Sequence, residues 1–556
     1  MRNEYFKLTN AKWYLDNTTD VTTKKQMIEL IVLDWEPHAS NEQRFRRRVS
    51  DLLDVAIDEA IASSDDLTED EPTEVMPIIG GVLEAAEDVR QWATGNTFVF
   101  TSAQANTILN EKFWTTLMAL VEDRQASLHI SRFTYNKANH GKKSVKPGSY
   151  KGTEDDDIWF DPRIAPYTSD EQIQVSHDLI WCGELNIIPT RVDPINGFEN
   201  YGRGASVIIP HTKMAMKSVP TMKDEPARFG YSTGTVTARN YIEKAAGQKS
   251  SLHHVYGALL VEVDENGQWW ARQLNADNDG TIYDLTDKYM LNGLGEAVIE
   301  RKKRPLVVTH GDLHGNKVDE GIVRTMSDIL DVLSPFHQVF HDTIDFQPRN
   351  HHNINDPHFM HQMQVEGKES VEGEFLYIAD IMAKWFARPG TDHHIVTSNH
   401  DQAIEGWLRN IKGFFDPINL RTWLQMNDYC ALSRQNGRKP RPFWYMLRRC
   451  LPERYRWHIV DEDDSLVIGG IEHGLHGHLG PNGARGNPKN LRTVGKANTG
   501  HTHSAGIIEG IYTAGVFGNL DMGYNKGLSA WSHSFIVTYQ NGKRTIVTIK
   551  EGKGWR

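Results

Sequence analysis

Apolar residues recur at three- and four-residue spacing from Lys24 to Trp35 (KKQMIELIVLDW) and from Arg44 to Ile61 (RFRRRVSDLLDVAIDEAI). That spacing predicts amphipathic helices and a helical N-terminal domain over residues 1–62. Ser63–Thr73 (SSDDLTEDEPT) is acidic, contains proline and breaks the pattern, so residues 63–92 read as an acidic linker and connecting segment. From Thr97 the texture changes. Thr97–Thr101 and Ser127–Ile130 have the length and apolarity of buried strands, with an amphipathic helix (NTILNEKFWTTLMALVED) between them. Gly257–Val263 and Gln268–Leu274 flank Asp264-Glu-Asn-Gly267, a hairpin with an Asn-Gly turn signal. Residues 93–295 therefore read as an α/β middle domain. Beyond it, over 296–556, strand-like runs return at Leu306–Thr309, Gln338–Phe340, His394–Thr397, Leu466–Ile468 and Gly510–Phe517. Phe535–Tyr539 and Arg544–Ile549 enclose Asn541-Gly542 as a second hairpin.

The 556 residues are 39% hydrophobic, enough for several cores. No apolar run approaches the roughly 20 residues that span a bilayer. The start, Met1-Arg-Asn-Glu-Tyr-Phe, lacks an apolar export region, so a cytoplasmic protein without membrane contact is expected. Cys182, Cys430 and Cys450 are too dispersed for a zinc site or a disulfide framework. The net charge of −12 argues against binding nucleic acid by bulk charge, but not against a nucleic-acid enzyme with bound cations and local basic patches. Histidine is the informative residue: of 25, 17 lie between Pro305 and His503. Such crowding points to metal ligation or proton transfer.

Four strand-like runs end in polar residues able to bind metal. After LVVT comes His310-Gly-Asp312-Leu-His314; after QVF, His341-Asp342-Thr-Ile-Asp345; after HIVT, Ser398-Asn399-His400-Asp401; after LVI, Gly469-Gly-Ile-Glu-His473-Gly474. A fifth element is Gly500-His501-Thr502-His503. Ligands of open α/β sheets bind at strand carboxyl ends. A bridging carboxylate with imidazoles and an amide oxygen suits two divalent cations.

In order and spacing the five elements resemble the motifs of the calcineurin-like metallophosphoesterases, over about the last half of the chain. His341 and Ser398 stand where that family has glycine. The resemblance implies a C-terminal metallophosphoesterase β-sandwich flanked by helices over residues 296–556. It also implies two divalent cations, Mn²⁺ ahead of Mg²⁺, that activate water to attack phosphorus. Asp312, His314 and His503 would hold one cation, Asn399, His473 and His501 the other, and Asp342 would bridge them. Asp345 is the alternative bridge. His476 and His478 compete with His473, which is favoured because it directly follows the strand. His400 would stabilise developing charge or protonate the leaving oxygen, oriented by Asp401.

Asp345 is followed by Phe346-Gln347, without the arginine that clamps a monoester in the Ser/Thr protein phosphatases of that family. Residues 434–457 hold eight Lys/Arg and one acid, interleaved with aromatics. They read either as a strand channel using Arg438, Lys439, Arg441 and Trp444, or as a helix with aromatics inward and a solvated basic face. Arg485 and Lys489, in a glycine-rich basic loop, are further candidates for phosphate binding. Arg44–Arg48 is another basic cluster, read equally as a solvated helix face with an acidic partner. Within the family the chain resembles the SbcD-type exonuclease subunits. With its large N-terminal extension it also resembles large phage metallophosphoesterases, such as the pre-early DNases of Tequintavirus-type phages. The expected function is therefore a metal-dependent DNase acting in a host cytoplasm. Its expected partners are DNA, further copies of itself, and other phage or host proteins. The alternatives are a phosphomonoesterase acting on protein or nucleotide, and a host-interacting scaffold.

Overall fold

The computed structural model describes residues 24–35, 46, 49–50, 52–53, 91–134, 158–223 and 225–556. The chain divides into two compact units, Met1–Asp88 and Val89–Arg556. In the first unit the predicted helix Lys24–Trp35 forms and buries Met27, Ile31 and Val32. Arg46 of the basic cluster pairs with Glu29 at 2.8 Å. Arg44, Arg47, Arg48 and the acidic segment Ser63–Thr73 lie outside the described residues.

The second unit is mixed α/β. Thr97–Gln104 and Ser127–Phe133 pair in parallel, and Thr97–Gln104 also pairs with the hairpin Gly257–Val263 and Trp269–Asn275 in a four-stranded sheet. Helix Glu111–Asp123 connects the first two strands, capped by Asn110, whose side chain accepts from the Phe113 amide. A six-stranded sheet takes its strands from Val307 to Thr548. Val307–Thr309, His337–Phe340, Asp392–Val396 and Arg456–Val460 run parallel, and Ser534–Thr538 with Arg544–Thr548 closes the other side antiparallel. Helix Glu320–Leu333 follows the first of these strands. Its Asp319 cap accepts from the amides of Gly321 and Ile322. Val323, Met326, Ile329, Leu330 and Leu333, at helical spacing, join a core with Val308, Phe340, Phe375, Ile395 and Val537.

Two expectations need correction. The boundary at residue 295 does not separate compact units. An eleven-stranded sheet takes strands from both sides: His211–Val219 pairs with Gly506–Ile508, with Lys217 opposite Gly506 and Met216 opposite Ile507. Gln273, on the four-stranded sheet, also bonds Thr545 and the Ile546 amide on the six-stranded one. Both seams satisfy strand-edge backbone groups, which local pattern does not reveal. Nor is 434–457 one basic stretch. It comprises the end of helix Leu420–Gln435, helix Pro442–Cys450 and the start of edge strand Arg456–Val460.

One ion cluster ties the four-stranded sheet to the three-stranded sheet beside it. Arg272, 2% exposed, meets Asp284 at 2.6 Å and Glu262 at 2.7 Å, and Arg124 reaches Asp284 at 3.0 Å. Arg272→Met strands two carboxylates with only Arg124 as partial relief. It is expected to cost about 3–5 kcal/mol, read as a lowered midpoint in urea unfolding. A midpoint equal to that of the parent would show the cluster to be energetically idle.

Candidate metal centre

Three loops at the carboxyl ends of adjacent parallel strands converge with two loops from the eleven-stranded sheet. Asp312 and His314 follow Val307–Thr309, Asp342 and Asp345 follow His337–Phe340, and His400 and Asp401 follow Asp392–Val396. The loop after Ile471–Glu472 carries His476 and His478, and the loop after Ala497–Thr499 carries His501 and His503. The backbone turns sharply at the ligand positions. His314, Asp342, His501 and His503 all have positive φ, between 43° and 73°, as does nearby Phe346. Non-glycine residues adopt that region at an energetic cost and cluster in it at functional sites.

Donor atoms of Asp312, His314, Asp342 and His503 lie together, all four side chains buried. His314 Nε2 is 2.8 Å from His503 Nε2 and 3.5 Å from Asp342 Oδ2, and His503 Nε2 is 3.3 Å from Asp312 Oδ2. His476 Nε2 approaches the same Oδ2 of Asp342 at 3.4 Å. The His476 ring lies 5.2 Å from that of His501 and 5.3 Å from that of His478. One oxygen of Asp342 thus meets imidazoles from two different loops. The His501 amide donates to Asp312 Oδ2 at 2.7 Å, and a Cβ at Gly500 would collide with the same carboxylate. Glycine there lets the last loop close over the first.

The residues fit a metal. Oδ1 of Asp312, Oδ1 of Asp342, Nδ1 of His503 and both ring nitrogens of His476 and His478 are buried without a hydrogen-bond partner. Buried polar atoms are seldom left so, and a cluster of them matches a cation's demand. Burial and the Asp342 charge push Asp312 well above the usual carboxylate range. Burial also opposes ionisation of Asp342, but His476, His400 and His314 outweigh it and hold that carboxyl well below. Two acids on one hollow thus differ in proton affinity, and a cation would settle both as carboxylates.

Of the seven expected ligands, Asp312, His314, Asp342 and His503 come together, and the His501 ring lies 5.2 Å from that of His476. Asn399 lies exposed on its loop, next to His400, and both border a hollow of about 430 Å³ with His351 and His352. His473 does not join. Its Nδ1 is turned to Thr309 Oγ1 and Asn498 Nδ2, each 3.4 Å away, while its Nε2 is buried without a hydrogen-bond partner. His476, the second His-Gly of EHGLHGH, takes the place beside Asp342. Asp345 is no bridge: Oδ1 lies 3.4 Å from His314 Nδ1 and 2.8 Å from His400 Nδ1, and Oδ2 lies 3.4 Å from Lys317. Orienting His400 therefore falls to Asp345. Asp401 instead accepts the amides of Ser398 and Ile344, pinning two site loops to each other. Burial and the Asp342 charge push the Asp401 carboxyl up to about 8. Glu374 holds the same loop from behind, accepting the amides of Asp345 and Phe346.

The candidate substrate residues divide. Arg441 pairs with Asp461 at 2.7 Å, and Lys439 lies 3.8 Å from Asp463. Phe443, Met446 and Leu447 are buried, with Trp444 packed against the same core. The hollow that Lys439, Arg441 and Trp444 border is about 30 Å³, water-sized. Here the solvated helix face describes the geometry better than a strand channel. Arg438 and Arg485 are exposed, and the Gly486 amide ties the Arg485 loop to the His478 carbonyl at 2.7 Å. Lys489 is exposed on the wall of a large cavity.

Over 494 residues, 86% of each chain, the sequence is 35% identical to Protein A1 of Escherichia phage T5. No family model and no solved structure matches. No helix among the described residues is long and apolar enough to cross a membrane.

Proposed function

The chain belongs to the family of the phage T5 Protein A1, and from that premise we propose that it is a two-metal phosphodiesterase that degrades DNA during infection. The observation that carries the reading is Asp342, a buried carboxylate whose Oδ2 meets both His314 at 3.5 Å and His476 at 3.4 Å. Asp312, His314 and His503 would hold one cation; His476 and His501 the other. Carboxylate and imidazole donors together suit Mn²⁺. Bound cations supply Lewis acidity and a nucleophile at neutral pH. The chain's own contribution is positional. His400, held through Nδ1 by Asp345, keeps Nε2 for the substrate, while Asp401 and Glu374 lock the loops that present it. The motif order and the lack of an arginine after Asp345 favour a diester over a monoester.

The protein is expected to hydrolyse linear duplex DNA with Mn²⁺ and to stop in excess chelator, with activity restored by Mn²⁺. Assaying linear duplex, circular plasmid, single strands and a generic monoester together separates nuclease from phosphatase. Turnover of the monoester alone would replace the diester reading, and full DNA hydrolysis in chelator would end the metal mechanism.

A further inference from the structure

A cavity of about 1060 Å³ opens on the eleven-stranded sheet, outside the metal ligands. It shares a loop with them: Thr502 and Ser504, which flank His503, form part of its wall. Eight of its lining side chains are Lys or Arg and only two, Asp193 and Glu509, are acidic. In a chain of net charge −12 that imbalance runs against the composition.

Two of the cations are answered nearby, Lys217 by Glu199 and Arg492 by Glu509. Among the described residues, no carboxylate forms an ion pair with the other six: Lys213, Arg239, Lys489, Lys496, Lys543 and Arg544. Lys213 is 4% exposed and Arg544 5%. Lys213 Nζ donates to the carbonyls of Arg191 at 2.6 Å and Val192 at 3.4 Å, which leaves one of its three protons. Arg544 donates to the carbonyls of Ala497 and Gly510 and to Asn498, and its guanidinium lies 4.0 Å over the Tyr512 ring. Neutral dipoles thus hold these charges in place without cancelling them. Desolvating a cation without a counter-charge is costly. Burial accordingly lowers the Lys213 ammonium to about 8 and Arg544 to about 10, and lowers Lys543 as well. An anion seated in the cavity would relieve that cost.

The size and lining narrow the anion. The volume is at the upper end of small-molecule pockets, roughly 300–1,000 Å³, and far exceeds a single phosphate. Six unpaired cations call for several negative charges along a chain. Met214, Met216, Leu252 and Ile507 add apolar wall on which a base or sugar can lie. We propose that this cavity binds a nucleotide strand through two or more of its phosphates, delivering it to the metal centre along the loop Thr502–Ser504. The strand as ligand rests on the DNase reading above, whereas binding of phosphates here does not require hydrolysis.

The test uses the full chain in chelator, so that no turnover occurs, and follows the anisotropy of a fluorescein-labelled tetradeoxynucleotide. Deoxymononucleotide and inorganic phosphate serve as competitors. The parent is expected to bind, with a log–log salt slope of about −0.7 for each phosphate neutralised. Lys496→Gln/Lys543→Gln, which removes one exposed and one half-buried cation, is expected to weaken binding about tenfold or more and to flatten the slope. Lys213→Met should do the same, and circular dichroism checks that each variant is folded. Affinity that rises with strand length supports the substrate path. Mononucleotide competing as well as the strand would make the ligand a free nucleotide in the same site. Two results overturn the proposal: no binding by the parent, or parent-like affinity and salt slope in the folded double variant. DNA hydrolysis with unchanged strand binding in the variants defeats the cavity alone. Strand binding lost in the variants of a protein that hydrolyses no DNA defeats only the DNase reading.

Discussion

Asp342→Ala is expected to release both cations and reduce DNA hydrolysis to the level of the chelated protein. Oδ2 of Asp342 meets imidazoles from two loops, with His314 at 3.5 Å and His476 at 3.4 Å. Removing it leaves imidazoles and Asp312, a carboxyl that burial already presses toward its protonated form. A sharper version separates two histidines three positions apart. His476→Ala should lose one cation of the pair and most activity. His473→Ala should keep both cations, because its ring is engaged with Thr309 and Asn498, and should lose only stability, about 1–3 kcal/mol for the unpaired polar groups. Metal content by elemental analysis, read beside activity, decides the matter. Metal loss in His473→Ala with retention in His476→Ala would reverse the assignment.

That reversal matters because it marks where sequence reading stops. The strands, the loops behind them and most candidate ligands were legible, since Asp312, His314, Asp342 and Asn399 lie two to five residues beyond apolar runs that had to be strands. EHGLHGH offered three histidines within six positions, and adjacency to the strand favoured His473. The choice turns on the backbone between Gly474 and Gly477, with Gly477 at φ 116°, which carries His476 rather than His473 to Asp342. Neither composition nor spacing encodes that path. The same holds for Asp345 and Asp401. Both follow strands and both are buried carboxylates, yet one meets a ring and the other meets amides. The eleven-stranded sheet was illegible for a related reason. Its seam pairs Ile507 with Met216, nearly three hundred residues apart, and strand edges carry no local signature of their partner. The basic helix Pro442–Cys450 misled through composition, because Asp461 and Asp464, which answer Arg441, lie beyond the stretch that was counted.

His400→Ala is expected to keep both cations and lose about 10²–10⁴-fold in turnover, the range for a positioned acid–base group. Its Nδ1 lies 2.8 Å from Asp345 and its ring meets His314 edge-on at 5.0 Å, so it lies outside the group Asp312, His314, Asp342 and His503 and shares with His314 and Asp345 a second, less buried set of donors. With Nδ1 committed, Nε2 is the atom left to meet a leaving oxygen. Two roles remain for it, and the leaving group distinguishes them. If Nε2 gives a proton to the departing oxygen, a nitrophenyl diester, whose leaving group needs no proton, should lose little in His400→Ala while DNA loses the full factor. If the ring stabilises charge on the phosphoryl oxygens, both substrates should lose alike. Asp345→Asn tests the positioning. It should move turnover in the same direction by about 10–100-fold, the range for outer hydrogen-bond partners at metal sites, and by the same factor for either role. Asp401→Asn, which leaves the Asp345 contact in place, should act through the loop and lower thermal stability before it lowers turnover. Loss of metal from His400→Ala, or turnover equal to the parent on DNA, would remove His400 from the mechanism.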